Sequence, residues 1–409
     1  MANSPAEAAP ATPARELELR HVLLFHRHGD RTPVLAGIGS KMTPSAEEDE
    51  FWESRIATPA QLAELDAVGK VVGAHPSIAP YAEPRHGGTW PGGQLTQKGV
   101  EEMRSKGRQL RERYGHVIDD HSVAHQHVYV LSTNIRRTIQ SVQCLLHGMF
   151  HDDDNDDADK VDKAKVDAAD DTAAKKPVFH IRTFERNTIA PQHPLRVFGE
   201  IEMIVADDVQ LRSESDRKQT EELAQKVREA VGIPDGTPVP WTAVRDIMTC
   251  RKAHDLPLPE GITDAVFDQI CAYDAWLWHR LYSRKDFNTQ WFVDGVDTVY
   301  AHLKQVVATL VHESAATEHP PKLSFFSAHD NSIVALLSAL QVQVNDALPE
   351  YGTIVAFEVY EDKATHQHFI KVLFDDKEVP FKCHEHDPLC PFTHVEALAL
   401  EFLGPRETL

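Results

Sequence analysis

The sequence predicts an α/β fold: a three-layer α/β/α sandwich with a largely parallel sheet and a smaller, mainly helical cap domain inserted into it. Two observations predict this. Short, branched apolar runs are closely followed by segments of helical spacing, which is how layered strand–helix units read. One long stretch in the middle of the chain keeps the helical pattern and lacks such runs.

The elements follow in order. Residues 1–17, rich in Ala and Pro, read as a disordered tail. "LRHVLLF" (19–25) is a short apolar run suited to a buried strand. "LTQKGVEEMRSKGRQLRERYG" (95–115) reads as an amphipathic helix, with Leu95, Val100, Met103 and Leu110 as apolar points and Thr96 as N-cap. "QHVYVLS" (126–132) is a second strand running into a helix marked by Ile135, Ile139, Val142 and Leu146. Residues 151–176 are acidic, low in complexity and free of aromatics, so they read as a disordered surface insertion.

"VFHIRTF" (178–184) returns to strand character. Residues 186–290 are helical in pattern, with Pro-rich breaks at 233–240 and 257–259, and form the predicted cap. "LSFFS" (323–327) and "SIVALLSALQV" (332–342) make another strand–helix unit, and "GTIVAFEVY" (352–360) and "HFIKVLF" (368–374) are late strands, a hairpin or a neighbouring pair. The core domain is therefore 18–185 together with 291–409. The aromatic run "YDAWLWHRLY" (273–282) has core-facing spacing at Trp276, Leu277 and Leu281 and is read as helix core rather than as the lining of an acyl pocket.

Composition excludes some partners. The 409-residue chain carries 42 Lys plus Arg against 63 Asp plus Glu, a net charge of −21. That balance argues against nucleic acid or an anionic membrane surface as partner, and an anionic substrate would need a local basic cluster. No run is apolar and long enough for stable membrane insertion, and the first residues lack the apolar core of a secretion signal. With five cysteines, an odd number, this predicts a reducing, cytoplasmic setting. A mitochondrial setting has weaker support, from Arg15 and Arg20 alone. Cys383 and Cys390 stand close enough to pair under oxidising conditions, but two thiols is the reading adopted. "CHEHDPLC" (383–390) is too cramped for a tetrahedral metal site, so no metal ligand and no cofactor is assigned.

Three strand-like runs end in the same kind of residue. "VLLF" ends in His26-Arg27-His28-Gly29-Asp30-Arg31, "VYVLS" in Thr133-Asn134-Ile135-Arg136-Arg137, and "LSFFS" in Ala328-His329-Asp330-Asn331. Ligands of such sheets bind outside the carboxyl ends of the strands. If the runs are parallel neighbours, each at a strand-to-helix junction, they converge on a site for a dianion. Arginine presents a fork of donors matched to phosphate oxygens. Helix N-termini add backbone donors, and Gly29 allows close backbone approach to a ligand. A histidine among arginines stays neutral and can attack phosphorus. The Asp330 carboxyl can protonate a leaving oxygen. Each piece alone has a plainer reading: a solvated turn, a surface arginine pair, a capped helix start. "KAHDLPLP" (252–259) repeats Ala-His-Asp outside a strand-to-helix setting and is given no catalytic role.

"FHRHGDRTP" resembles the RHGxRxP signature of the histidine acid phosphatases (branch 2 of the histidine phosphatases), and "FSAHDNS" resembles their His-Asp signature. "GGQLTQKG" (92–99) and "STNIRRT" (132–138) are similar to two intervening blocks of that family. "STNIRRTIQSVQCLLHGMF", "AHDLP" and "DPLCPF" are most similar to its lysophosphatidic acid phosphatase type 6 branch. The resemblance implies His28 as the attacking histidine, Arg27, Arg31, Arg137 and His329 as phosphate-binding residues, and Asp330 as proton donor. It implies a metal-independent acid phosphatase acting on phosphomonoesters, such as a lysophospholipid, through a phosphohistidine. Arg136, and His26 beside the site, depart from the family pattern. An inositol polyphosphate phosphatase of the same superfamily and a non-catalytic phosphate-binding protein are the alternatives.

Overall fold

The computed structural model describes residues 15–35, 37–73, 91–151, 176–312, 319–344, 348–382 and 387–405. The expected tail and acidic insertion fall largely outside these residues, as do Cys383, His384 and His386. What is described of the tail is already ordered. Leu17 pairs with Asp362, and the Lys363 amide donates to the Glu16 carbonyl.

Strand β1 (Leu17–Arg27) is followed by α1 (Ala46–Arg55), α2 (Pro59–Val68), β2 (Gly69–Gly73) and α3 (Gln97–Tyr114). Next come β3 (Val128–Ser132), α4 (Arg136–Phe150) and β4 (Phe179–Thr183). A helical segment follows: α5 (Val197–Ile204), α6 (Ala206–Leu211), α7 (Glu214–Val231), α8 (Trp241–Ala253), α9 (Asp264–Ser283) and α10 (Lys285–Val311). Then come β5 (Leu323–Ala328), α11 (Asp330–Ala339), β6 (Ile354–Asp362), β7 (His368–Phe374), β8 (Lys377–Val379), β9 (Leu389–Pro391) and α12 (Phe392–Leu403).

The strands form one nine-stranded sheet in the order β2-β4-β3-β5-β1-β6-β7-β8, with β9 also on β7. The half from β2 to β1 is parallel. From β6 onward every pairing is antiparallel. The late strands are the hairpin that the sequence left open. A connection as short as that between β6 and β7 permits only antiparallel neighbours.

Both faces of the sheet are covered. β1 is fully buried from Val22 to Phe25, and its alternation sends Val22 and Leu24 to one face and Leu23 and Phe25 to the other. The first face packs with α2, α3 and α4, through Leu65, Val100, Met103 and Leu145. The second joins a larger cluster drawn from α5, α7 to α12, so the helical segment shares a core with the sheet. The expected cap boundary at 290 falls inside α10, just before Phe292, where φ −133° and ψ 15° interrupt the helix. In α9 the buried indole is Trp278; Trp276 is only half-buried, under the guanidinium groups of Arg212 and Arg280.

Helices α3 and α4 cross at glycine. A Cβ at Gly148 would lie 2.0 Å from the Arg104 carbonyl oxygen, and one at Gly107 would lie 2.3 Å from that of Leu145. Both obstacles are backbone, so the helices would have to separate. Gly148→Ala is expected to destabilise the protein by about 1–3 kcal/mol, the usual cost of overpacking. A thermal melt of the variant at the wild-type midpoint would show that the crossing is looser than this.

Candidate active site

Register brings the site together. β5 lies between β1 and β3, with Arg27 opposite Ala328 and Ser132 opposite Ser327. All three strands are parallel and end at one level, so the loops after them are neighbours. Backbone bonds fasten them, from His28 N to the Ala328 carbonyl (3.2 Å) and from Thr133 N to the Ser327 carbonyl (3.0 Å). Antiparallel β6 starts at the same edge, because Ile354 pairs with His26. Its approach carries Tyr351 in, held by Gly352 N donating to the His28 carbonyl at 2.9 Å.

His28 is almost fully buried. Its Nδ1 lies 2.9 Å from the Gly29 carbonyl oxygen. A carbonyl only accepts, so Nδ1 carries the proton and the neutral ring has its lone pair on Nε2. Burial holds the imidazole pKa well below its usual value, and the charges of Arg137, Arg31 and Arg27 add to the effect. His329 stands edge-on to it, with ring centres 5.5 Å apart, and its Nε2 is 3.2 Å from the Thr133 hydroxyl. Burial and Arg137 push His329 down to about 3.

Each arginine is buried and held differently. Arg27 donates to the Pro349 carbonyl at 2.7 Å, pairs with Asp330 at 3.1 Å and stacks on Tyr351. Arg31 grips both carboxylate oxygens of Asp246, at 2.6 and 3.3 Å. Arg137 reaches the Gly93 carbonyl at 3.5 Å, and burial with Arg31 nearby pushes its pKa down to about 9. The Nε atoms of all three are buried without a hydrogen-bond partner among the described residues. Unmet buried donors are costly, and an anion accepting from them would remove that cost.

Asp330 opens α11, directly after His329 at its N-cap. Arg27 and Arg245, at 3.1 and 3.6 Å, hold its carboxyl well below the usual carboxylate range against the opposing effect of burial. The six predicted site residues, Arg27, His28, Arg31, Arg137, His329 and Asp330, are thus gathered at one sheet edge.

Some expectations need correction. No helix follows β1 directly; the first turn of α3 serves the signature loop instead, through the Thr96 amide and hydroxyl, which donate to Asp30. Gly29 is also demanded by that helix. A Cβ there would lie 2.7 Å from Met103 Cγ and 3.0 Å from the Gly99 carbonyl oxygen. His26, expected beside the site, falls with Leu24 on the α3 face of β1 and bonds the Arg27 carbonyl through Nδ1 at 3.1 Å. Arg136 is half-buried at the start of α4, next to buried Arg137.

Other contributors carried no readable signal in the sequence. Arg245, Asp246 and Asp274 belong to the helical segment and reach the site only through packing. Tyr351 stands in a loop before β6. The dismissed "KAHDLPLP" does contribute: His254 Nε2 pairs with Asp30 at 2.7 Å and braces the signature loop. "GGQLTQKG" braces it too, with Thr32 N donating to the Gln94 carbonyl at 3.0 Å. A cavity of about 620 Å³ between α3 and β6–β7, lined by Lys106, Arg113 and Asp376, holds none of these residues.

The family model described as histidine phosphatase superfamily (branch 2) matches residues 18–227. Lysophosphatidic acid phosphatase type 6 of Bos taurus is 24% identical over 384 residues, 92% of this chain and 81% of its own length. Lysosomal acid phosphatase of Bos taurus is 26% identical over 362 residues, 86% of this chain and 69% of its own. Among solved structures, the phytase from Citrobacter braakii superposes with a TM-score of 0.57 at 13% identity, over 96% of this chain and 100% of that one, a likeness of fold. On the family match and these relatives, this chain belongs to branch 2 of the histidine phosphatase superfamily and is a phosphatase of the histidine acid phosphatase kind.

Proposed function

We propose that the protein is a metal-independent acid phosphatase that hydrolyses phosphomonoesters through a phosphohistidine at His28, with lysophospholipids such as lysophosphatidic acid as its substrate class. One observation carries the reading. The Nδ1 bond to the Gly29 carbonyl leaves the Nε2 lone pair of His28 available, in a site shared with three buried guanidinium groups and a carboxyl. An ordinary imidazole is protonated below pH 6.5. Burial and the arginines keep this one neutral in acid, where the reaction is expected to run.

Arg27, Arg31, Arg137 and His329 hold the phosphoryl oxygens, which supplies the charge stabilisation that phosphoryl transfer mainly needs. The Nε2 lone pair of His28 attacks phosphorus as the ester P–O bond breaks, and protonated Asp330 gives its proton to the departing alcohol oxygen. Water then attacks the phosphohistidine, the P–N bond breaks, and the Asp330 carboxylate takes the proton from that water. In the free site Arg27 and Arg245 keep Asp330 ionised. Substrate phosphate draws Arg27 toward itself, and the carboxyl can then hold a proton.

The lysophospholipid class is supported by the relative of Bos taurus named lysophosphatidic acid phosphatase type 6. An inositol polyphosphate would need several cations in excess, whereas here Asp246, Asp274 and Asp330 offset all but one of Arg27, Arg31, Arg137 and Arg245. A site that only binds phosphate has no need of an imidazole kept neutral.

The purified protein is expected to hydrolyse p-nitrophenyl phosphate in acid with chelator present, and His28→Ala to lose more than about 10³-fold in kcat while still binding phosphate. Turnover that survives in the variant sinks the phosphohistidine route. Asp330→Asn is expected to slow an alkyl phosphate by about 10²-fold or more and p-nitrophenyl phosphate far less, since nitrophenolate leaves without a proton. Equal slowing would remove Asp330 from the role of acid. In side-by-side assays kcat/KM is expected to be higher for lysophosphatidic acid than for phytate; the reverse order would transfer the protein to the polyphosphate class.

A further inference from the structure

The helical segment sends one arginine to the carboxyl that the proposed reaction uses as its acid, and that arginine is anchored differently from Arg27, the other arginine at salt-bridge distance from this carboxyl. Arg245 in α8 places one outer nitrogen 3.6 Å from Asp330 Oδ2. Its Nε donates to Asp274 Oδ2 at 2.6 Å. Asp274, in α9, has no exposure at all. Its other oxygen accepts from the Thr242 hydroxyl at 2.7 Å, and that hydroxyl accepts from the Trp278 indole N–H at 2.9 Å. A carboxylate this deep is tolerable only when paired and hydrogen-bonded, and Asp274 is both. The chain Trp278–Thr242–Asp274 therefore fixes the guanidinium of Arg245 while leaving an outer nitrogen directed to Asp330.

Arg27 touches the same oxygen of Asp330, at 3.1 Å, but its position differs. It is anchored to a neutral carbonyl, that of Pro349, and in the proposed reaction it is a phosphate ligand. Bound substrate competes with Asp330 for Arg27. Arg245 is tied to a buried anion and stays.

We propose that Arg245 is the positioning residue of the acid: it keeps the Asp330 carboxyl aimed at the leaving oxygen once Arg27 has turned to the phosphate. This rests on the reading of Asp330 as the acid. The groups facing Asp330 come from several elements. Arg27 belongs to β1 and Arg31 to the loop after it, Arg137 to α4, Arg245 to α8, and Asp274 and Tyr282 to α9. His329 and the Asn331 amide flank it on its own segment. Asp246 faces Arg31, Arg137 and Arg245 and so acts on Asp330 through them. The cations favour the ionised carboxyl and Asp274 disfavours it. Losing the Arg245 charge raises the Asp330 pKa, and the acid then survives to higher pH.

The double variant Arg245→Gln/Asp274→Asn removes the pair together, so neither member is left behind as a lone buried charge. It is assayed beside wild type and Asp330→Asn with glycerol 2-phosphate and p-nitrophenyl phosphate across pH. The expected result is a kcat for the alkyl ester about tenfold lower, a kcat for the aryl ester within about threefold of wild type, and an alkaline limb of kcat/KM for the alkyl ester about one pH unit higher. Arg245→Lys retains the charge without the fork; it is expected to slow the alkyl ester while leaving the limb in place. Equal slowing of the two esters, or an unmoved limb in the double variant, overturns the role of Arg245. Should the double variant fail to fold, Arg245→Lys decides: an unchanged alkyl-to-aryl ratio overturns the proposal. Wild type inactive on both esters, or Asp330→Asn slowing both equally, fells the underlying reading instead.

Discussion

Everything in this site depends on keeping several arginines buried in one small volume. Arg27, Arg31, Arg137 and Arg245 are each less than a tenth exposed, and like charges that close in a poorly hydrated space repel strongly. The structure answers with carboxylates at short range. Asp330 meets Arg27, Asp246 clasps Arg31, and Asp274 holds Arg245. Arg137 lacks a carboxylate at salt-bridge distance among the described residues, and burial, with Arg31 close by, lowers its pKa. That residual imbalance is the local basic field which a protein of net charge −21 needs to attract an anion.

The same charge cluster explains why histidine can serve here. Cations around His28 and His329 oppose a further positive charge on either ring, and burial opposes it more. Both imidazoles stay neutral where a solvated one would be protonated. Neutrality alone would leave open which nitrogen carries the hydrogen. The Gly29 carbonyl resolves that for His28, and it is held in place because Gly29 packs on the first turn of α3. Backbone packing on one face of the sheet thus dictates the tautomer of a ring at its edge.

The helical segment is as much a part of the site as the sheet. It supplies Asp246 to Arg31, Arg245 to Asp330 and His254 to Asp30, and it shares a continuous core with the face of the sheet that bears Leu23 and Phe25. Changes in its packing therefore bear on the charges around the proposed phosphate position. Tyr351 joins from the antiparallel half, lying against Arg27 and His28.

Much of this was legible in the primary structure, because period and short-range order suffice for it. The strands at 19–25, 126–132 and 323–327, the N-cap at Thr96 and the six residues proposed for the site are local patterns of apolar runs, turn residues and charge. The antiparallel half, the short strands β2, β8 and β9, and the true face of His26 were not, since they follow from pairing partners and register rather than from composition. The sequence by itself determined which residues could bind and attack an anion, for that is written in side-chain chemistry at strand ends. Only the tertiary structure decided which carboxylate neutralises which arginine, which imidazole nitrogen bears the proton and that Arg245 stands against Asp330, because each of these depends on distances of a few ångströms between segments far apart in the chain.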